Sequence, residues 1–151
     1  MNIIVTGGAG FIGSAFVRLL LGPKSGGQHN VTVLDKLTYA GNLDNLRPVA
    51  GSAGYRFVQG DICDAALVNE LVATTRPDAI VHFAAESHVD RSILSPAPVF
   101  ETNLRGSFML LEAARMHKVP RYVHVSTDEV YGSIDEPHEA DENYPLRASS
   151  P

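Results

Sequence analysis

Thr6-Gly7-Gly8-Ala9-Gly10-Phe11-Ile12-Gly13 is the stretch that decides the fold. Its glycines spell G-x-x-G-x-x-G between a β-branched run, Ile3-Ile4-Val5-Thr6, and a stretch from Phe11 to Leu21 with helical apolar spacing. Three glycines at fixed spacing are a weak signal alone; a strand before them and a helix after them make it a strong one. Gly7 without a Cβ permits a tight turn, Gly10 lets the backbone approach a ligand, and Gly13 lets helix pack on strand. The helix N-terminus then offers unpaired N–H groups and a partial positive charge, which suit a phosphate.

Working outward, short Val- and Ile-rich runs alternate with helical patterns. Val31-Thr32-Val33-Leu34 reads as a second strand and is followed by a polar, glycine-bearing loop over 36–54. Tyr55-Arg56-Phe57-Val58 is a third strand, and Asp64 is the expected N-cap of a helix running to Thr75, with Leu67, Val68, Leu71 and Val72 on one face. After the breaker Pro77-Asp78 come the strand Ala79-Ile80-Val81-His82-Phe83, a helix over 98–117, and a fifth strand, Arg121-Tyr122-Val123-His124-Val125. Buried strands separated by helices, joined by right-handed crossovers, predict a doubly wound, Rossmann-type α/β fold with a parallel sheet of about five strands.

In such a fold ligands sit at the carboxyl ends of the strands. Asp35 closes the second strand 22 positions after Gly13. Its carboxylate can accept hydrogen bonds from both ribose hydroxyls of a dinucleotide, and its charge repels a 2′-phosphate, which favours NAD over NADP; Lys36 beside it softens that preference. Asp61-Ile62 follows the third strand, where a loop would overlie adenine, and Ala84-Ala85 follows the fourth, keeping the cleft wall thin.

Composition sets bounds on this reading. The 151 residues are about one domain, 44% apolar and 19% charged, with 13 glycines and 9 prolines, too few for a low-complexity chain. A net charge of −5 without a block of like charge argues against a nucleic-acid binder. Cys63 is the single cysteine, so no internal disulfide forms, and no stretch approaches 18 apolar residues; a cytoplasmic location is expected.

Three longer strings carry a resemblance: Asp35-Lys36-Leu37-Thr38-Tyr39-Ala40-Gly41-Asn42, Ala84-Ala85-Glu86-Ser87-His88-Val89-Asp90-Arg91-Ser92, and Ser126-Thr127-Asp128-Glu129-Val130-Tyr131-Gly132. With the glycine loop they resemble the dTDP-glucose 4,6-dehydratases, a family of the extended short-chain dehydrogenase/reductase superfamily that works on nucleotide sugars. The resemblance implies NAD-dependent dehydration of dTDP-glucose or a related nucleotide sugar: oxidation at C4, elimination across C5–C6 and return of the hydride to C6, giving a 4-keto-6-deoxy product. It implies that Glu129 takes the C5 proton, that Asp128 protonates the departing C6 hydroxyl, and that Thr127 and Ser87 bind substrate. Adjacent carboxyls can divide these roles when their environments push their pKa values apart. The family's cofactor contacts fall on Gly7, Gly10, Phe11, Ile12, Gly13, Asp35, Lys36, Leu37, Thr38, Asp61, Ile62, Phe83, Ala84, Ala85, Glu86, Ser87 and Thr102. Homodimerisation through a helix of the 98–117 region is also implied.

The superfamily's general base is a Tyr in a Y-x-x-x-K motif, and in the dehydratases it follows a segment resembling Ala148-Ser149-Ser150-Pro151. Residues 1–151 are therefore expected to be the N-terminal portion of an NAD-binding domain, without the C-terminal nucleotide-sugar domain and inactive alone for lack of the Tyr/Lys pair. The alternatives are a non-catalytic NAD-binding module and another epimerase or dehydratase of the superfamily. Lesser features have bland expectations. Six histidines show no ligand spacing, so no metal is expected; His82 and His124 read as hydrogen-bonded sheet residues, and His88 could reach the cleft. Cys63 reads as a small filler, Tyr131 as a packing residue, and the stripe Phe100, Leu104, Phe108, Leu111 as core or in part dimer surface. Glu136, Glu139, Asp141 and Glu142 read as a solvated loop.

Overall fold

A computed structural model describes residues 1–25, 29–135 and 137–149; Glu136 and the Ser150-Pro151 end lie outside the described residues. Five strands, β1 (Asn2–Thr6), β2 (Asn30–Asp35), β3 (Tyr55–Gln59), β4 (Ala79–His82) and β5 (Tyr122–His124), form one parallel sheet in the order β3-β2-β1-β4-β5. The register runs Ile4 beside Thr32 on one side and Ile80 on the other, and Ile80 beside Tyr122. Strand order reverses between β1 and β4, so a crevice opens at their carboxyl ends.

Alternation along the strands feeds two cores. Ile3, Val5, Val31, Val33 and Val81 face Val17 of α1 (Phe11–Leu21), while Ile4, Leu34 and Ile80 face α2 (Ala65–Thr75) and α5 (Ser107–Met116). Ile4, Ile80 and Leu110 are essentially inaccessible, each contributing ~2 kcal/mol of apolar burial. Asp64 caps α2 as its sequence position predicts: its Oδ1 accepts from the N–H groups of Ala66 and Leu67, both at 3.1 Å.

Three expectations need correction. The loop over 36–54 holds a 3-10 helix, Leu43–Val49, that buries Leu46 and Val49 under α1. The single helix over 98–117 is a short turn α4 (Ala97–Val99), a π-helical stretch (Phe100–Gly106) and then α5, preceded by α3 (Val89–Leu94), which periodicity does not announce. Phe100, Leu104, Phe108 and Leu111 are not core: they are 59, 58, 52 and 47% exposed, because Leu110, Ala113 and Ala114 form the face that meets the sheet. Among the described residues no helix is long and apolar enough to cross a membrane.

Candidate functional site

The first cleft wall is the glycine turn. Gly7 adopts φ +69°, and a Cβ there would lie 2.5 Å from Ala84 N, so β1 and β4 diverge from a backbone-to-backbone contact. A Cβ on Gly13 would overlap the Gly7 carbonyl; that glycine packs α1 onto the turn rather than onto the strand itself. Gly10, the N-cap, differs. Its Cβ would meet only the Gly7 carbonyl oxygen, at 3.2 Å, so the fold presses on that position far less than on Gly7. The first helical bond of α1 runs from Ser14 N to Gly10 O, which leaves the N–H groups of Phe11, Ile12 and Gly13 ahead of the ladder and aimed out of the helix end.

Asp35, at the end of β2 and 9% exposed, is held by two backbone donors, Ala9 N to Oδ2 at 2.9 Å and Leu37 N to Oδ1 at 2.8 Å. Each carboxylate oxygen keeps lone pairs for further donors. Lys36 Nζ lies 2.6 Å from Asp61 Oδ2. Burial alone would raise the Asp61 carboxyl, but Lys36 and the Cys63 N–H hold it below the usual carboxylate range, and the same pairing raises Lys36. Lys36 is thus committed to Asp61, and it tempers the charge of Asp35 less than sequence adjacency suggests. Cys63 is pushed up by burial and by Asp61, and its Sγ faces the Glu101 carbonyl oxygen at 3.2 Å; an elevated thiol suits the filler role.

Beyond β4 the chain continues as Phe83-Ala84-Ala85-Glu86-Ser87, and Asn103 clamps this segment: Glu86 N donates to Asn103 Oδ1 at 2.8 Å, and Asn103 Nδ2 donates to Glu86 O at 2.9 Å. The π-helical stretch carries both Asn103 and Thr102 to the cleft. Arg91 stacks on Tyr39 with its guanidinium carbon 4.3 Å from the ring centroid, joining the 35–42 and 84–92 strings across the rim. Beyond β5, Thr127 caps a 3-10 turn, Asp128–Tyr131, by accepting from Glu129 N at 3.2 Å, and its hydroxyl donates to Asp128 Oδ1 at 3.3 Å. Tyr131 packs edge-on against Tyr144 with centroids 6.0 Å apart, as a packing residue should.

These walls enclose one cleft of about 1050 Å³ along the carboxyl edge of the sheet. It is lined by Gly7, Gly10, Phe11, Ile12, Gly13, Asp35, Lys36, Thr38, Asp61, Ile62, Phe83, Ala84, Ala85, Glu86, Ser87, Thr102, Thr127, Asp128 and Glu129. Leu37 stands apart: its N–H serves Asp35 while its side chain packs on the α1-side core. His88 and His124 also reach the cleft. Asn103, Ser107 and Ser126 also line the cleft without having been singled out from the sequence; a lone Asn within the apolar helical pattern was the available signal for the first. Among the described residues no group of three His, Cys, Asp or Glu side chains could hold a metal.

A donor turn for phosphates, a buried carboxylate 22 residues past Gly13, and a cleft of this volume fit a dinucleotide. A family model described as GDP-mannose 4,6 dehydratase matches residues 4–151. The dTDP-glucose 4,6-dehydratase of Streptomyces niveus is 58% identical over 154 residues, covering all of this chain and 45% of its own length, and that of Shigella flexneri is 50% identical, covering 97% and 42%. Among solved structures, DesIV (dTDP-glucose 4,6-dehydratase) from Streptomyces venezuelae with NAD and TYD bound superposes with a TM-score of 0.93 at 54% identity, over 99% of this chain and 46% of that one. The Thermus thermophilus UDP-glucose 4-epimerase complex with NAD gives 0.86 at 38%, over 99% and 45%. The chain thus spans about half the length of the relatives it matches. It belongs to the GDP-mannose 4,6 dehydratase family, as a homologue of the N-terminal part of the dTDP-glucose 4,6-dehydratases.

Proposed function

We propose that these residues form the NAD-binding, N-terminal portion of a nucleotide-sugar 4,6-dehydratase that converts dTDP-glucose to its 4-keto-6-deoxy derivative. The observation that carries the reading is the position of Thr127, Asp128 and Glu129: they leave the end of β5 on the wall of the same cleft that the glycine turn and Asp35 line. The pyrophosphate would rest on the N–H groups of Phe11, Ile12 and Gly13, the adenine ribose on Asp35, and the adenine near Asp61 and Ile62. Lys36, Thr38, Phe83, Ala84, Ala85, Glu86 and Thr102 would complete the cofactor contacts. Bound NAD would supply hydride acceptance and return.

The chain's own residues would then divide the elimination. Glu129 takes the C5 proton and gives it back to C5 as the hydride returns to C6, and Asp128 gives a proton to the C6 oxygen as it leaves as water. Thr127 and Ser87 hold the sugar hydroxyls against these groups. The exposed stripe through Phe100, Leu104, Phe108 and Leu111 is apolar enough to be covered by a second copy, which supports a homodimer. A cytoplasmic location belongs to the same proposal. The experiment is to supply dTDP-glucose and NAD to a polypeptide that carries these residues together with a Y-x-x-x-K motif and a nucleotide-sugar domain, and to follow the alkali-induced absorbance of a 4-keto sugar. Product is expected, and Glu129→Gln should abolish it while NAD binding stays within about twofold. No product from protein with bound NAD, or full activity in the variant, refutes the assignment.

A further inference from the structure

Beneath the floor of the cleft lies a histidine that the proposed chemistry does not use. His82, the last residue of β4, is 1% exposed. Its Nδ1 is 2.6 Å from Thr6 Oγ1 and its Nε2 is 2.9 Å from Ser107 Oγ. Thr6 ends β1 immediately before the glycine turn, and Ser107 begins α5, so one imidazole joins three elements at the point where the cleft opens.

The hydrogen-bond directions follow from donor and acceptor counting. Thr6 Oγ1 accepts from Ala84 N at 3.4 Å, and its own proton is then best used by donation to His82 Nδ1. The tautomer with its proton on Nε2, donating to Ser107, gives the fully buried Thr6 proton an acceptor and leaves the Ser107 proton to the open cleft that Ser107 lines. A neutral ring in this form pairs both of its nitrogens; a charged ring would turn Nδ1 into a second donor and strand the Thr6 proton. Burial, helped by His124 on β5 with its ring 5.0 Å away, pushes His82 down to about 4. Tyr122, the other titratable ring against it at 6.2 Å, is itself pushed up to about 12 by burial.

We propose that His82 is a positioning residue for the dinucleotide: in its neutral Nε2–H form it fixes the spacing of the Gly7 turn, the Phe83-Ala84-Ala85 segment and the first turn of α5. This inference rests on reading the cleft as an NAD site. The spacing matters because the turn and the segment already touch backbone to backbone, so a small slip of β4 re-aims the donors of the turn. Neither Thr6 nor His82 is among the residues lining the cleft, so a loss of affinity on changing either is transmitted through the fold.

The test is a calorimetric titration of NAD into wild type, His82→Ala and Thr6→Val at 25 °C, with circular dichroism melts to establish folding. Each variant loses the Thr6–His82 hydrogen bond and one other, and should bind NAD at least about tenfold more weakly while still folded. Nitrogen-15 NMR of the wild type should show His82 protonated at Nε2 and bare at Nδ1 at pH 7, with both signals moving on NAD addition. Lowered melting temperatures with unchanged NAD affinity would mean a structural role only and would overturn the proposal, as would an Nδ1–H tautomer. If His82→Ala does not fold, Thr6→Val and the tautomer decide. A wild type that binds no NAD removes the cleft reading and this inference together; a wild type that binds no better than its variants removes the inference alone.

Discussion

Alanine at position 7 should be among the most damaging single-methyl additions in the chain. The residue sits at φ +69°, where a side chain costs ~1–2 kcal/mol. The added Cβ would lie 2.5 and 2.7 Å from the Ala84 N and Cα and 2.8 Å from the Phe83 carbonyl carbon, about 1 Å inside ordinary contact. These are backbone atoms that cannot swing aside, since Phe83 N is bonded to Thr6 O at 3.0 Å, so overpacking adds ~1–3 kcal/mol. The total, ~2–5 kcal/mol, is a large part of a small domain's stability. Gly10→Ala meets one oxygen at 3.2 Å with an ordinary φ of −74°, and should cost under ~1 kcal/mol of stability while intruding where phosphates would lie, weakening NAD at least about tenfold. Gly51, with nothing within 4 Å, is the control: alanine there should change stability by less than ~0.5 kcal/mol. Urea unfolding followed by circular dichroism, with NAD titrations of the folded variants, reads all three. A Gly7→Ala protein within about 1 kcal/mol of wild type would refute the close-approach reasoning. Gly10→Ala binding NAD normally would refute the phosphate site.

Two further perturbations test separate parts of the account. The buried imidazole of His82 resists protonation down to about 4, whereas an unfolded chain takes that proton near 6.5. Between these values the unfolded state binds more protons, so stability falls as pH drops, by up to ~3 kcal/mol at the lower end; urea midpoints at pH 7.5 and 5 should show this decline, and His82→Asn should flatten it. Asp64→Ala removes both acceptances at the α2 N-terminus and should cost ~1 kcal/mol, most of it recovered in Asp64→Asn, as melting temperatures will report.

Local signals carried much of the architecture. The glycine loop, the Val- and Ile-rich strands and the Asp64 cap are all read from residues near one another in the chain, and the sheet follows from their alternation. What escaped depends on partners far away. The 3-10 helix over Leu43–Val49 is too short to show a period, yet Asn42 N and Asn45 Nδ2 both donate to Ala9 O at 3.1 and 3.0 Å and pin it to the glycine turn. The stripe through Phe100 and Phe108 was misjudged because apolar spacing says that a helix has an apolar face, not what covers it. In the cleft, residue type and spacing flagged Asp35, and the family resemblance flagged Asp128 and Glu129, whereas the Asn103 clamp, the commitment of Lys36 to Asp61 and the His82 junction required the sheet to bring distant positions together.

The central claim is that the cleft between the glycine turn and Asp35 holds NAD. Titrating NAD and NADP into the chain by calorimetry tests it most directly. One NAD per chain is expected, with NADP weaker by at least about tenfold because its 2′-phosphate would face the Asp35 carboxylate, and with loss of that preference in Asp35→Ala. Absence of binding, or NADP binding as tightly as NAD, would contradict it.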